Sequence, residues 1–308
     1  MGQQNLTVLP EFILLGVTSH PELQGPLFGV FLLIYMVTVV GNLGMIILTK
    51  VDSYLHTPMY FFIRHLAFID LGISTVICPK MLVNFVEKQN TISFHACATQ
   101  LAFYLLFMIS ELFMLSAMAY DRYVAICNPL LYNATMTQRL CHVLVSIPYL
   151  CSTFQSLMVT IKIFTLSFCG SNVISHIYCD DVPLASMLCS NAQELGLLIL
   201  IFAAFDLISS LLLVIVSYML ILIAIFQMHS AKGRKKAFST CGSHLTVVVV
   251  FYGTLLFMYM QPKSIHSFES ERMVSVFYTL VIPMLNPLIY SLRNKEVKNA
   301  FYRVFKIP

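Results

Sequence analysis

LQGPLFGVFLLIYMVTVVGNLGMIILT, residues 23–49, contains no Asp, Glu, Lys, Arg or His. A membrane-spanning helix needs about 20 mostly apolar residues, and at about 1.5 Å per residue this run crosses a bilayer with some tilt. Working outward, it predicts a helix over 24–49, and similar runs predict helices over 58–84, 97–126, 140–161, 196–228, 237–261 and 270–291. Composition agrees: 58% of the 308 residues are hydrophobic and only 10% are charged. A soluble domain carries roughly 25% charged residues, so most of this surface faces lipid. The runs are too long for barrel strands, and barrel-type alternation is absent. The expected fold is an all-α membrane protein, a seven-transmembrane bundle in a single domain of residues 1–308. It is preceded by an outer segment 1–23 and followed by an amphipathic tail 292–308.

Residues 1–22 lack a basic n-region and an h-region with a small-residue cleavage site, so the first apolar helix is expected to direct insertion itself. No Lys or Arg precedes Lys50, which puts the N-terminus outside. With seven crossings the C-terminus is cytosolic. Thirteen of the 18 basic residues then lie on the cytosolic side, and only Lys80, Lys88, Lys162, Lys263 and Arg272 lie outside. Their spread along the chain excludes a nucleic-acid partner. Two sequons follow the same topology: Asn5-Leu6-Thr7 is open to glycosylation, and Asn133-Ala134-Thr135, in a cytosolic loop, is not. Beyond Tyr290, basic residues alternate with Leu292, Val297, Ala300, Phe301, Val304 and Phe305. That pattern suits a short helix lying on inner-leaflet lipid, with a disordered basic tail as the alternative.

The longest outer connection, about 162–195, holds Cys169, Cys179 and Cys189, and Cys97 opens the third helix on the same side. An oxidising exterior favours disulfides among these four, and spacing alone leaves three pairings open. The other cysteines are expected to be reduced, buried or palmitoylated.

Asp70, Glu111 and Asp206 lie at membrane depth, where a carboxylate needs a partner, a proton or water. Glu111 shares a helix face with Tyr104 and Met108. If Asp70 and Glu111 meet, either one keeps its proton or a cation sits between them. A sodium-like cation pocket is the preferred reading, with a structural hydrogen-bond cluster as the alternative. At the cytosolic end of the third helix, Asp121-Arg122-Tyr123 places an acid beside a base, so the guanidinium can be held inward and released toward a partner or Tyr218. Pro287, within the seventh helix, removes a backbone bond and loosens it locally.

The motifs occur in order: Gly41-Asn42, Leu55-His56-Thr57-Pro58-Met59-Tyr60, Met118-Ala119-Tyr120-Asp121-Arg122-Tyr123-Val124-Ala125-Ile126-Cys127, Ser217-Tyr218, Lys236-Ala237-Phe238-Ser239-Thr240-Cys241-Gly242-Ser243-His244-Leu245 and Pro283-Met284-Leu285-Asn286-Pro287-Leu288-Ile289-Tyr290. On these the chain resembles the rhodopsin-like G-protein-coupled receptors, and within them the vertebrate olfactory receptors. Phe251-Tyr252-Gly253 and the short body of the second outer loop look like the tetrapod-type (class II) branch.

The resemblance implies a cell-surface chemosensor for small volatile odorants. It couples to a heterotrimeric G protein of the stimulatory olfactory type and raises cyclic AMP. It further implies a Cys97–Cys179 tether and a Cys169–Cys189 bridge, an activation switch of Asp121, Arg122, Tyr123, Tyr218, Asn286, Pro287 and Tyr290, and no cofactor beyond a possible sodium ion. The chain has no Trp, and Tyr252 stands where such receptors usually carry one in the sixth helix.

By the same analogy the ligand pocket lies in the outer half among helices three, five, six and seven. The candidates are Tyr104, Leu105, Met108 and Ile109; Phe202, Ala203 and Asp206; Tyr252, Leu255 and Tyr259; and Thr279. Tyr259 is the foremost polar contact, and Tyr259 and Tyr252 together are expected to pull on the sixth helix when ligand binds. Asp206 stands on a stripe with Phe202 and Ser209, where the family would have Asn. It either binds a cationic or hydrogen-bond-donating odorant or, the favoured reading, acts as a protonated carboxyl in place of that Asn.

A transporter would show repeat symmetry and paired broken helices, and a membrane enzyme a metal cluster or nucleophile elbow. Neither pattern is present in the sequence, and an enzyme is not expected.

Overall fold

The computed structural model describes residues 11–18, 20–87, 89–260, 272 and 274–305. Asn5 and the end of the tail lie outside them, as do the side chains of Lys236 and Tyr259. Seven helices cross the bundle: α1 (Pro21–Val51), α2 (Pro58–Val86), α3 (Phe94–Cys127), α4 (Gln138–Thr165), α5 (Ala192–Gln227), α6 (Ala231–Met260) and α7, whose span is Val274–Ser291. An eighth, α8 (Lys295–Phe305), follows. Six of the seven have membrane-spanning length and apolarity, and α6 carries a shorter apolar stretch, Cys241–Phe257.

Hydropathy locates the lipid-crossing part of each helix, whereas local chemistry sets its ends. Pro58 at the first turn of α2 already has helical φ and no N–H to leave unpaired. Ser93 Oγ accepts from Ala96 N at 3.3 Å and starts α3 earlier than 97. Thr137 Oγ1 does the same for Leu140 N at the start of α4. α6 begins at Ala231, six residues before the apolar run, because Lys and Arg are good helix formers. Near its start α7 contains a π-helical stretch, Phe277–Val281, before the regular turns of Ile282–Arg293, which contain Pro283 and Pro287.

α3 runs through the middle of the bundle and packs on α2, α4 and α5. A Cβ on Gly72 would come 2.5 Å from the Phe107 ring, so any larger residue there would displace that ring. Leu33, Val40, Leu200, Ile208 and Leu212 are exposed around the outside, as a lipid-facing surface requires.

Two features go beyond the sequence expectation. Glu11–Leu14 (β1) pairs antiparallel with Thr91–Ser93 (β2) and parallel with Val173–Ile174 (β3), capping one end of the bundle. Phe12 and Leu14 alternate inward, and Phe12 sits 5.2 Å from the Phe168 ring and 6.2 Å from that of Phe94. Burying such a ring contributes about 1.5–3 kcal/mol. At the other end α8 is tied to the bundle: Arg303 Nη2 pairs with Asp52 Oδ2 at 2.7 Å, its guanidinium lies 4.6 Å from the Tyr54 ring centre, and Val297 and Ala300 are buried. Lys298 and Phe301 remain exposed.

Candidate functional site

The connection after α4 folds back over the bundle. Cys97 at the start of α3 is bonded to Cys179, and Cys169 to Cys189. Gln100 Oε1 accepts from Cys179 N at 2.9 Å, while its Nε2 donates to Val76 O at 3.0 Å. Tyr178 donates to the Tyr104 hydroxyl at 3.0 Å, and His176 Nε2 lies 3.0 Å from Ser275 Oγ of α7. The connection is thus fastened to α3 and α7 and roofs a cavity of about 400 Å³.

Tyr104, Leu105, Met108, Ile109 and Leu112 of α3 line that cavity, facing Ile199, Phe202, Ala203, Asp206 and Leu207 of α5. Leu255 of α6 and Ser275 of α7 complete its wall. Several contributors go beyond the sequence expectation: Leu112 of α3, Gln155 and Val159 of α4, Ile199 and Leu207 of α5, Ser275 of α7, and the roof residues His176 and Asp180–Pro183. The family analogy points to helices three, five, six and seven and does not name α4. Gln155, at membrane depth, was the available signal, since a buried amide there needs partners. Its Nε2 donates to Asp206 Oδ1 at 2.8 Å.

Three expected contacts are placed differently. Tyr252 sits one helical turn deeper than Leu255 and does not line the cavity; its hydroxyl faces Leu112 O at 3.4 Å, beneath the floor. Thr279 is fully buried and donates to Ser275 O at 2.7 Å. Ser209 turns back to donate to Phe205 O, and Ser210 faces inward instead, its carbonyl accepting from Ser116 Oγ at 3.1 Å. The packed stripe on α5 therefore runs in steps of four residues. Tyr259 cannot be placed, because its side chain lies outside the described residues.

At the cavity mouth Asp180 Oδ1 accepts from Asp181 N at 3.0 Å, and Asp181 Oδ1 from Val182 N at 2.8 Å. Burial, with Asp180 alongside, pushes the Asp181 carboxyl up to about 8.

Below the cavity, Asp70, Glu111 and Asn286 are all buried. Asn286 Nδ2 donates to both Asp70 oxygens, at 3.0 and 3.1 Å. Glu111 interacts with Asp70 and Asn286, and its Oε1 is buried without a hydrogen-bond partner.

At the opposite end of the bundle the Arg122 guanidinium is paired with Asp121. Asp121 Oδ1 also accepts from the Tyr132 hydroxyl at 2.8 Å, a clamp that was not foreseen. Burial, reinforced by Asp121, raises the Tyr132 hydroxyl, which keeps it a donor. Tyr218 is bonded to His244 Nδ1 at 2.7 Å rather than to Arg122. Tyr290 is buried nearby, and Tyr123 is half-buried with its ring 6.2 Å from that of Tyr120.

A family model described as olfactory receptor matches residues 31–307. Olfactory receptor 8K5 of Homo sapiens is 77% identical over 306 residues, covering 99% of this chain and 100% of its own. Olfactory receptor 8K3 of Homo sapiens is 69% identical over 305 residues, covering 99% and 97%. Olfactory receptor 8U3 of Mus musculus is 58% identical over 300 residues, covering 97% and 94%. Among solved structures, the crystal structure of squid rhodopsin superposes with a TM-score of 0.73 at 17% identity, over 94% of this chain and 85% of that one. At that identity the likeness concerns the fold alone.

Proposed function

This chain belongs to the olfactory receptor family, a non-enzymatic class of multi-pass G-protein-coupled receptors at the plasma membrane, and on that premise we propose the ligand site, the orientation and the coupling that follow. The cavity roofed by the α4–α5 connection takes a small volatile odorant. Its mostly apolar wall with a few convergent polar groups is the observation that carries this reading. The N-terminus and cavity face outward and Arg122 faces the cytosol, as the Lys/Arg bias supports. A glycan at Asn5, with Asn133 bare, is the expected readout of that orientation.

Ligand acts on the floor. Leu112 lines the cavity while its carbonyl receives Tyr252 of α6 and Ser116. Pressure on Leu112 and Leu255 shifts the register of α3 against α6. The basic cytosolic end of α6, Lys232–Lys236, then moves outward. Arg122 leaves Asp121, Tyr218 leaves His244, and with Tyr290 they admit a stimulatory olfactory-type G protein that raises cyclic AMP. Ligand drives this only by binding the open state more tightly. Asp70, Glu111 and Asn286 hold a sodium ion in the closed state, which the unpartnered Glu111 oxygen supports. α8 rests on inner-leaflet lipid through Phe301 and Lys298.

A cyclic AMP screen of volatiles in cells with matched surface expression tests the reading. Odorant-dependent signal is expected from the wild type and none from Arg122→Ala. Normal signalling by Arg122→Ala refutes the coupling scheme, and sodium-independent stability in both wild type and Asp70→Asn refutes the ion.

A further inference from the structure

The deep end of the cavity contains an acceptor with nothing to accept. Gln155 donates through Nε2 to Asp206 Oδ1 at 2.8 Å, which fixes the orientation of its amide, since only the NH₂ can donate to a carboxylate. Its Oε1 is buried, has no hydrogen-bond partner, and belongs to a residue that is 5% exposed and lines the cavity. A buried acceptor in that condition marks the place of a missing donor.

The charges around it have one sign. Asp180, Asp181 and Asp206 all line the cavity, and among the described lining residues there is neither Lys nor Arg. Asp206 is 2% exposed, with Gln155 beside it. Met108, Ile109, Val159 and Phe202 give the wall its apolar part, among which Tyr104, His176 and Ser275 add polar groups.

We propose that this cavity selects a small protonated amine, whose ammonium donates to Gln155 Oε1 and Asp206 while its hydrocarbon body lies between α3 and α5. The proposal rests on the reading of the cavity as the ligand site and names the chemical class that fits it. An ammonium brings three donors and the positive charge that the lining lacks. An alcohol of equal length brings one donor and no charge. A carboxylate meets like charge at the mouth and at the floor. Asp180 and Asp181 place further carboxyl groups on the wall of the same cavity.

The test is thermal unfolding of the purified full-length receptor with hexylamine, hexanol or hexanoate at equal concentration and fixed pH. Ligand that binds only the folded state raises the midpoint in a concentration-dependent way. Hexylamine is expected to stabilise the wild type, hexanol less, and hexanoate not at all. Asp206→Asn is expected to weaken the apparent hexylamine affinity at least about tenfold. If Asp206→Asn does not reach the membrane, Gln155→Met removes the orphan acceptor and is expected to weaken hexylamine several-fold. Stabilisation by hexanol or hexanoate equal to that by hexylamine overturns the proposal, as does no shift with hexylamine or an unchanged affinity in the variant that folds. The readout requires no G protein. Amine binding without a cyclic AMP response therefore refutes the signalling scheme alone, and cyclic AMP responses to acids with none to amines refute the amine assignment alone.

Discussion

Asn42 of α1 donates its Nδ2 to the backbone carbonyl of Pro283 in α7 at 3.0 Å. In a regular helix that carbonyl receives the N–H of the residue four positions on, here Pro287, which has none. The Asn42 side chain thus supplies from a neighbouring helix the bond that the chain cannot make for itself. Gly41 allows the approach, since a Cβ there would touch Pro287 at 3.0 Å. Asn42→Leu is expected to lower stability by about 1–3 kcal/mol, the usual cost of a buried acceptor left unpaired. Pro287→Ala restores the amide, so the same substitution should cost clearly less in that background. A double-mutant cycle by thermal unfolding measures this, and an equal cost in both backgrounds contradicts the assignment.

Tyr132 holds Asp121 from outside the helix that carries it. Tyr132→Phe is expected to raise basal cyclic AMP severalfold, because Asp121 then holds Arg122 less firmly. Unchanged basal signal at equal surface expression contradicts this.

His244 keeps the Tyr218 hydroxyl away from Arg122. His244→Phe preserves an aromatic ring and frees that hydroxyl. Basal signalling should rise while stability falls by about 1 kcal/mol. A fall in basal signalling would mean that the bond belongs to the active arrangement instead.

Asp52 is buried and Arg303 is 43% exposed in its side chain. Their coupling in a double-mutant cycle should be about 0.5–1 kcal/mol, as for partly exposed pairs. Arg303→Met should cost more than Asp52→Asn, because it leaves a buried carboxylate without its cation. Thermal unfolding of the three variants reads both numbers.

Asp181 sets a pH dependence. Its folded-state carboxyl sits at about 8, above the ordinary value of 3.8. Its contribution to stability is therefore fully present below the ordinary value and is lost as pH rises through 8. Asp181→Asn should unfold at a higher temperature than wild type at pH 9, and the advantage should shrink toward pH 4. A pH-independent difference would remove Asp181 as the titrating group.

The bundle was legible in the sequence because lipid demands long apolar runs, and residues 23–49 meet that demand without a single charge. The cavity was legible in part. Tyr104, Met108 and Phe202, named from the family resemblance, do line it. Tyr252 and Thr279 were misplaced by depth, which the spacing along a helix leaves open until neighbouring helices fix it. Gln155 was missed because its role depends on Asp206, 51 residues away. β1 was missed because four residues of Glu-Phe-Ile-Leu form a strand only against partners from two distant loops.

That last pairing has a consequence for biogenesis. Ile13 and Leu14 are synthesised early, yet their partners Val173 and Ile174 arrive only after α4 has been synthesised and threaded. Throughout that interval a short hydrophobic edge stays uncovered, open to chaperones, glycan-processing factors or another nascent chain. Quality control of this receptor is therefore expected to read the closure of its first strand, a step that follows membrane insertion of more than half the helices.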